Sequence, residues 1–328
     1  MKKKKKQKSD FKAFLTDIRS LDRKLLVSFV VAFLLTLLLS QNSQGAVYGL
    51  STALFENPMI RQEPMIVPKP ALYPKKTTNV LPPQITAQSA IVIDVASQVV
   101  IHQKNEHVSF PLASTTKLMT ALVGMEYFNL NDILTVPLIS VAGAKMGLVD
   151  REQISFENLL YGLLLNSGND AAEAIALASP PGYAGFIEVM NEKAKELHLA
   201  NTHFEDPTGL SPENHTTALD LARLASFALK NAVLANVVST QAKTVSDSTG
   251  QYTHALENLN KLLGTVEGVI GMKTGFTQEA GQVLVTAAAR DNHTLVTVVL
   301  RSEDRFLDSK NLLEWAFANH SFTQASRL

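Results

Sequence analysis

The sequence contains no cysteine. Disulfides, thiolate nucleophiles and Cys-based zinc or iron–sulfur sites are therefore excluded, and the redox compartment is left undetermined. Its eight histidines show no H-E-x-x-H and no other close metal-ligand spacing, so no metal and no cofactor is assigned. Net charge is lacking too, since thirty basic residues cancel thirty acidic ones. The cancellation is uneven: residues 1–24 carry ten Lys/Arg against three Asp, which leaves the remainder at −7. A mildly acidic body has no basic surface of the kind that marks nucleic-acid binders, and no nucleic-acid partner is expected. Long apolar runs are scarce. The main one, Leu25 to Leu39, has fifteen residues and is broken by Ser28 and Thr36; a bilayer span wants about 20.

What is present starts with Lys2 to Lys6, close before that run. A lysine cluster beside an apolar segment stays on the cytoplasmic side. Lys24 can snorkel at one end, and the moderately apolar Ala46 to Phe55 extends the buried length at the other. Residues 25–45 are expected to be a retained transmembrane anchor, with a cleaved signal peptide as the alternative, because Ser43-Gln44-Gly45 fits a small-x-small cleavage site. Both readings put residues 1–24 inside as a basic tail and the later chain outside, so the expected localisation is the cell membrane with an extracytoplasmic domain. Residues 56–85 hold seven of the thirteen prolines. That density favours extended, semi-rigid chain, and 46–85 reads as a linker. The 46% apolar content supports one cored domain, assigned to 86–320, with 321–328 as a C-terminal tail.

Within that domain, Ala90 to Ile101 is two β-branched runs around a polar break, a hairpin signal. A helix is expected from about Ser114 to Phe128. Asn158 to Leu177 is apolar at helical spacing but interrupted at Asn166 to Asp170, and Ile187 to Leu199 and Leu219 to Leu229 are amphipathic. Val283 to Ala289 and Leu295 to Leu300 read as strands joined by Asp291-Asn292, and a last helix covers about Arg305 to Phe317. Strands at both ends with helices between predict an α+β domain, one sheet built from distant segments with a helical insert.

Three short motifs carry chemistry. Ser114-Thr115-Thr116-Lys117 puts a hydroxyl and an amine three apart at a helix start, on one face. A lysine can serve as base for a serine nucleophile if its pKa falls from about 10.4 toward about 7, a shift of roughly 4–5 kcal/mol that burial and a second cation can supply. Alone the motif is weak: Ser9-Asp10-Phe11-Lys12 has the same spacing in the basic tail. Ser167-Gly168-Asn169 sits on the break between helices, where a turn projects two polar side chains. Lys273-Thr274-Gly275 ends in a glycine that, after a cation and a hydroxyl, lets a substrate backbone approach closely. By themselves, the second and third motifs far more often mark a plain helix-ending turn and a polar β-turn than a site.

Their order, S-x-x-K, S-x-N, K-T-G, with spacings of 53 and 106 residues, is the signature of penicillin-binding proteins and class A β-lactamases. The stretches PLASTTKLMTAL, LLYGLLLNSGNDAAEAIA, NTHFEDPTGL, HTTALDLARLA and GVIGMKTGFTQEAG resemble the low-molecular-weight D-alanyl-D-alanine carboxypeptidases, the S11 serine peptidases, from about Ala90 to Phe317. The resemblance implies the serine penicillin-recognising fold: an antiparallel sheet of about five strands flanked by helices, with a mostly helical subdomain and Ser114 between them. It implies Ser114 as nucleophile on the bond between two terminal D-alanines of a peptidoglycan stem peptide, Lys117 as general base, and Ser167 as proton relay to the leaving amine. Asn169 is implied to hold the substrate backbone. Lys273 is implied to keep Lys117 neutral and, with Thr274, to bind the substrate carboxylate; Gly275 completes that motif. The family's oxyanion hole would use the backbone N–H groups of Ser114 and Phe276. A carboxylate-binding arginine before the last helix matches Arg305, with Arg301 as competitor. β-Lactams would acylate the same serine. His215 is read as structural.

Family members often add a C-terminal β-rich domain and an amphipathic anchor helix. The sequence ends eleven residues after Phe317 and is expected to carry neither, the N-terminal segment replacing the tether. A β-lactamase would need an acidic base in E-x-x-L-N, and the nearest approach, Glu196 to Ala200, lacks the asparagine. A D,D-endopeptidase cutting cross-links and a non-catalytic sensor of β-lactams are the other rivals.

Overall fold

Between Ser89 and Asp94 every side chain is buried, so this strand must be covered on both faces. In the structure, a computed structural model that describes residues 72–324, it is. The chain enters through β1 (Leu72–Lys76), then forms the hairpin β2 (Ser89–Asp94) and β3 (Val100–Lys104) that the sequence pattern predicts. Asp94 closes the turn, its carboxylate accepting from Ser97 N at 2.7 Å. A short strand, β4 (Phe110–Pro111), precedes a 3₁₀ turn (Ala113–Thr116) and helix α1 (Lys117–Tyr127).

The helical insert follows. It holds the strands β5 (Ile133–Thr135) and β6 (Gln153–Ser155), then α2 (Phe156–Leu164), α3 (Asn169–Ala178) and α4 (Gly182–Glu196). After β7 (His215–Thr216) come α5 (Ala218–Ala228) and α6 (Ala232–Ser239). Side chains cap these helices where the sequence offers a hydroxyl: Ser155 accepts from Asn158 N and starts α2, and Thr217 accepts from Asp220 N and starts α5. The hairpin β8 (Ala242–Ser246) and β9 (Thr253–Glu257) leads to three long strands, β10 (Val269–Thr277), β11 (Gly281–Arg290) and β12 (His293–Ser302). Helix α7 (Arg305–Asn319) and β13 (His320–Gln324) complete the described chain.

The central sheet is antiparallel in the order β10-β11-β12-β2-β3, the architecture the family resemblance implies. Asp291 and Asn292, both at positive φ (48° and 63°), make the tight β11–β12 turn, the backbone a two-residue hairpin requires. Period-2 alternation splits the strands between two cores. Ile91, Ile93, Val283, Val285, Val296 and Val298 face the helical insert. Ala90, Val92, Leu284, Ala288, Leu295 and Val299 face α7 through Leu312, Leu313 and Ala316. Buried Asp308 of α7 accepts from Ala87 N (2.8 Å), Thr86 Oγ1 (2.7 Å) and Ser302 Oγ (2.6 Å), anchoring the incoming chain to the sheet's second face.

Three readings of the sequence change. β1 and β13 pair from Leu72↔Gln324 to Lys76↔His320, so part of the stretch assigned to a linker and part of the C-terminal tail form a sheet. Pro74 within β1 is tolerated because the pair has free edges. The K-T-G motif lies inside a nine-residue strand rather than ahead of one. The helix α6 and the β8–β9 hairpin were not anticipated. The apolar run 25–39 lies outside the described residues, among which no single helix is long and apolar enough to cross a membrane.

Two hydroxyls sit at facing positions in the sheet centre. Thr286 and Thr297 are register partners, fully buried on the α7 face, and neither Oγ1 has a hydrogen-bond partner among the described residues. A buried hydroxyl without a partner costs about 1–3 kcal/mol. Thr286→Val and Thr297→Val are each expected to stabilise by about 1 kcal/mol. In thermal unfolding the midpoint should rise by about 2–4 °C per substitution; an unchanged or lower midpoint would contradict the assignment.

Candidate active site

The sequence places Ser114 and Lys117 three apart, and the local backbone decides what that spacing does. Ala113–Thr116 is a 3₁₀ turn, and the α-helix begins only at Lys117. In 3₁₀ geometry residues i and i+3 eclipse each other, so the lysine comes back over the serine. Lys117 Nζ donates to Ser114 Oγ at 3.1 Å. The amine is completely buried, and its other donors reach Asn169 Oδ1 and the Thr208 carbonyl, both at 2.6 Å. Burial pulls the Lys117 amine down to about 7, against the opposing pull of the Asp206, Asp170 and Glu173 carboxylates. Ser114 itself is only partly covered and open to a reactant.

Ser167-Gly168-Asn169 occupies the break between α2 and α3. Gly168 N donates back to the Gly162 carbonyl at 2.9 Å, which ends the first helix. Ser167 stands at φ 59°, a left-handed conformation rare for residues with a side chain. Asn169 opens the second helix, its N–H donating to the Ala144 carbonyl at 2.8 Å and its Nδ2 to the Ala142 carbonyl at 2.7 Å. Next to it, buried Asp170 accepts from the backbone N–H groups of Met146, Gly147 and Leu148 at 2.8–3.0 Å. The loop of residues 142–148 is thus folded against the first turn of α3.

The third motif arrives on β10, the edge of the central sheet, which packs against the 3₁₀ turn. Lys273 and Thr274 are buried. Burial pushes the Lys273 amine well below its ordinary value, helped by the cations Lys117 and Arg305 nearby. The second amine therefore contributes less to Lys117 than the sequence reading supposed, and burial is the chief cause for both. Gly275 faces the serine turn so closely that a Cβ would lie 3.1 Å from Ala113 Cβ and 3.3 Å from Ser114 N. A side chain here would require the serine turn to give by a few tenths of an ångström, and glycine lets the strand backbone lie this near without that shift. Phe276 follows and is 57% exposed.

Of the two arginines considered, Arg305 reaches the motif, its Nη1 donating to the Gly275 carbonyl at 2.7 Å. Arg301 is exposed and lies against Gly281 instead. His215 Nδ1 is 2.7 Å from the Glu213 carbonyl, in the short β4–β7 pair, a structural position. Glu196 is on the solvent side of α4, paired with Lys193 at 2.6 Å.

Ser114, Lys117, Asn169, Lys273, Gly275 and Arg305 are thus brought together from four segments, with Ser167 two residues before Asn169 and Thr274 between Lys273 and Gly275. A hydroxyl beside an amine whose pKa burial has pulled down to about 7, with a second amine and a guanidinium close by, suits acyl transfer to serine from a substrate bearing a carboxylate. The sequence matches the S11 peptidase family, described as D-alanyl-D-alanine carboxypeptidase, over residues 76–304. The chain belongs to that family. A D-alanyl-D-alanine endopeptidase of Pseudomonas aeruginosa is 34% identical over 251 residues, 74% of this chain and 81% of that protein. The D-alanyl-D-alanine carboxypeptidase DacF of Bacillus subtilis is 32% identical, covering 71% of this chain and 63% of its own length. The crystal structure of the Streptomyces K15 DD-transpeptidase matches with a TM-score of 0.70 at 32% identity, covering 73% of this chain and all of that one.

Sequence reasoning missed the Thr208 carbonyl, the Asp170 clasp and Asp206. NTHFEDPTGL was noted only for its resemblance; its Asp-Pro-x-Gly turn chemistry was the available signal. Gly209 in that turn has φ +83°, and a Cβ there would fall 1.8 Å from the Ala113 carbonyl oxygen. Gly209→Ala must therefore displace the serine turn. Covalent labelling by a fluorescent penicillin is expected to slow about a hundredfold; labelling at the wild-type rate would show that the turn can yield.

Proposed function

We propose that the chain is a serine-type D-alanyl-D-alanine carboxypeptidase that removes the terminal D-alanine from peptidoglycan stem pentapeptides through an acyl-enzyme. The observation that carries this reading is the fully buried Lys117 amine, held 3.1 Å from Ser114 Oγ with its pKa near 7. Neutral Lys117 takes the Ser114 proton as Oγ adds to the carbonyl carbon of the penultimate D-alanine. The N–H groups of Ser114 and Phe276 stabilise the oxyanion. The C–N bond then breaks, the amine of the leaving D-alanine receives the proton by way of Ser167, and an ester to Ser114 remains. Water, deprotonated in the same manner, adds to the ester and frees the shortened peptide and the serine hydroxyl. Asn169 holds the substrate backbone, while Lys273, Thr274 and Arg305 bind the terminal carboxylate. A β-lactam enters the same path and stays as the acyl-enzyme.

The N-terminal segment belongs to the same proposal. Residues 25–45 hold the protein in the cell membrane, residues 1–24 stay inside, and the catalytic domain works outside on the wall. The lysines before Leu25 to Leu39 support this reading.

Purified full chain is expected to release free D-alanine from a stem pentapeptide, and Ser114→Ala to abolish both release and penicillin labelling. The acylation rate should follow the neutral fraction of Lys117: flat above about pH 8 and falling about tenfold per unit well below pH 7. Release by Ser114→Ala, or a rate without an acid limb, would sink the assignments of nucleophile and base.

A second reading has support in the endopeptidase name of the Pseudomonas relative. Product analysis on purified muropeptides separates the two. Loss of terminal D-alanine from monomeric pentapeptides is expected, whereas conversion of cross-linked dimers to monomers would favour the endopeptidase.

A further inference from the structure

Asp206 precedes a turn that touches the serine segment from two sides. Its Oδ1 accepts from Thr208 N and Thr208 Oγ1 at 2.6 Å and from Gly209 N at 2.7 Å, and its Oδ2 accepts from Ser211 N at 2.6 Å. These bonds aim two successive carbonyls at the first turn of α1. The Pro207 carbonyl accepts from Thr120 Oγ1 and the Thr208 carbonyl from Lys117 Nζ, both at 2.6 Å. Beyond the turn, Asn214 Oδ1 accepts from Glu205 N at 2.7 Å, while the Asn214 carbonyl accepts from Leu112 N at 2.9 Å, two residues before Ser114.

We propose, on the reading of Lys117 as the base, that Asp206 is its positioning residue: the carboxylate builds the turn whose carbonyl holds the amine, and presents a fixed negative charge to it. Both carboxylate oxygens are taken up by the turn, so Asp206 acts through Lys117 and is not a catalytic residue. Burial raises the proton affinity of its carboxyl, but the hydrogen bonds from Thr208, Ser211 and Gly209 outweigh this and hold it below the usual carboxylate range. It therefore stays ionised throughout the working range. The charged groups facing Lys117 are Asp170 and Glu173 from α3, Asp206 from this turn and Lys273 from β10. Among the three acids Asp206 acts most strongly on the amine. The bonds of Asp170 go to the 146–148 backbone and Glu173 accepts from Tyr183 Oη, so of the three Asp206 is the one hydrogen-bonded to a residue, Thr208, that itself accepts from Lys117.

An opposite charge and a carbonyl acceptor both favour the protonated amine. Removing either frees the base at lower pH. A residue that merely supported the fold would lower the rate at every pH and leave the limb in place.

The test is the rate of acylation by a fluorescent penicillin across about pH 5 to 9, the range in which the base titrates. It compares the full chain as wild type, Asp206→Asn and Asp206→Ala, with thermal melts to show that each is folded. Asp206→Asn keeps an oxygen acceptor for the turn and removes the charge; its acid limb is expected to move to lower pH by about half a unit or more. Asp206→Ala should show at least that displacement together with a plateau about tenfold lower. Acid limbs of the variants coinciding with the wild-type limb, or moving upward, would overturn the proposal whatever the plateau. A wild-type rate with no acid limb would instead overturn the reading of Lys117 as base. If Asp206→Ala does not fold, the limb of Asp206→Asn decides.

Discussion

A lysine amine sealed from water must satisfy its three N–H bonds from the protein, and the site is arranged around that requirement. The acceptors for Lys117 come from three separate segments: the 3₁₀ turn at Ser114, the start of α3 at Asn169 and the turn at Thr208. Each segment reaches the amine through an unusual backbone conformation. Gly209 (φ 83°) takes the left-handed region freely, whereas Ala113 (φ 47°) and Ser167 (φ 59°) are held there against the preference of residues with a side chain, next to or one residue from the group that meets Lys117 or completes the site. Strain of this kind persists only where surrounding structure over-determines it. Here the over-determination is visible as the clasp of Asp170 on the 146–148 loop and the four bonds of Asp206.

The second constraint is the concentration of positive charge. Lys117, Lys273 and Arg305 crowd one cleft, the two amines fully buried. Burying cations together is unfavourable unless they lose protons or gain counter-charges, and the protein uses both routes. The amines lose proton affinity mainly through burial, and Asp206, Asp170 and Glu173 restrain the fall at Lys117. That balance leaves Lys117 near 7, where neither protonation state dominates and the amine can accept a proton and return it. The central sheet supplies the rigidity this needs. Its two cores fix β11 and β12 from both faces, and β10, hydrogen-bonded to β11, carries Lys273 and Gly275 to the serine turn on that stiff support.

How much of this was legible in the sequence follows from which interactions are local. The β2–β3 hairpin, the β11–β12 turn at Asp291-Asn292 and the amphipathic helices are written in period and turn chemistry, and they appear within a few residues of their expected places. Strand β1 was hidden because prolines at 70 and 74 read as linker, and nothing local reveals that Leu72–Lys76 meets His320–Gln324 some 240 residues on. Ser114, Lys117, Ser167, Asn169 and Lys273 stand out in the sequence because their order and surroundings resemble a family. The Thr208 carbonyl does not, because a backbone acceptor leaves no residue type to recognise. Only the need of Asp206 and Gly209 for one specific turn betrays it, and that need shows only once the turn is seen against Ala113.

The relatives of this chain carry three activity names, and the amine cluster does not separate them. Forming an acyl-serine needs Ser114, its base and an oxyanion site whichever D-alanyl bond is cut and whichever acceptor then takes the acyl group. Discrimination must lie where the far side of the substrate or the incoming acceptor would rest. The groups bordering the cluster there are of a different character: Phe276 beside Gly275 and Leu210 beside Gly143 are large, apolar and 57% and 40% exposed. Leu210 enters the network that fixes the amines only through its backbone N–H, which donates to Thr208 Oγ1 at 3.1 Å, so neither side chain is needed to hold Lys117. The groups around the buried amine constrain one another, whereas side chains that the amine does not need are free of that constraint.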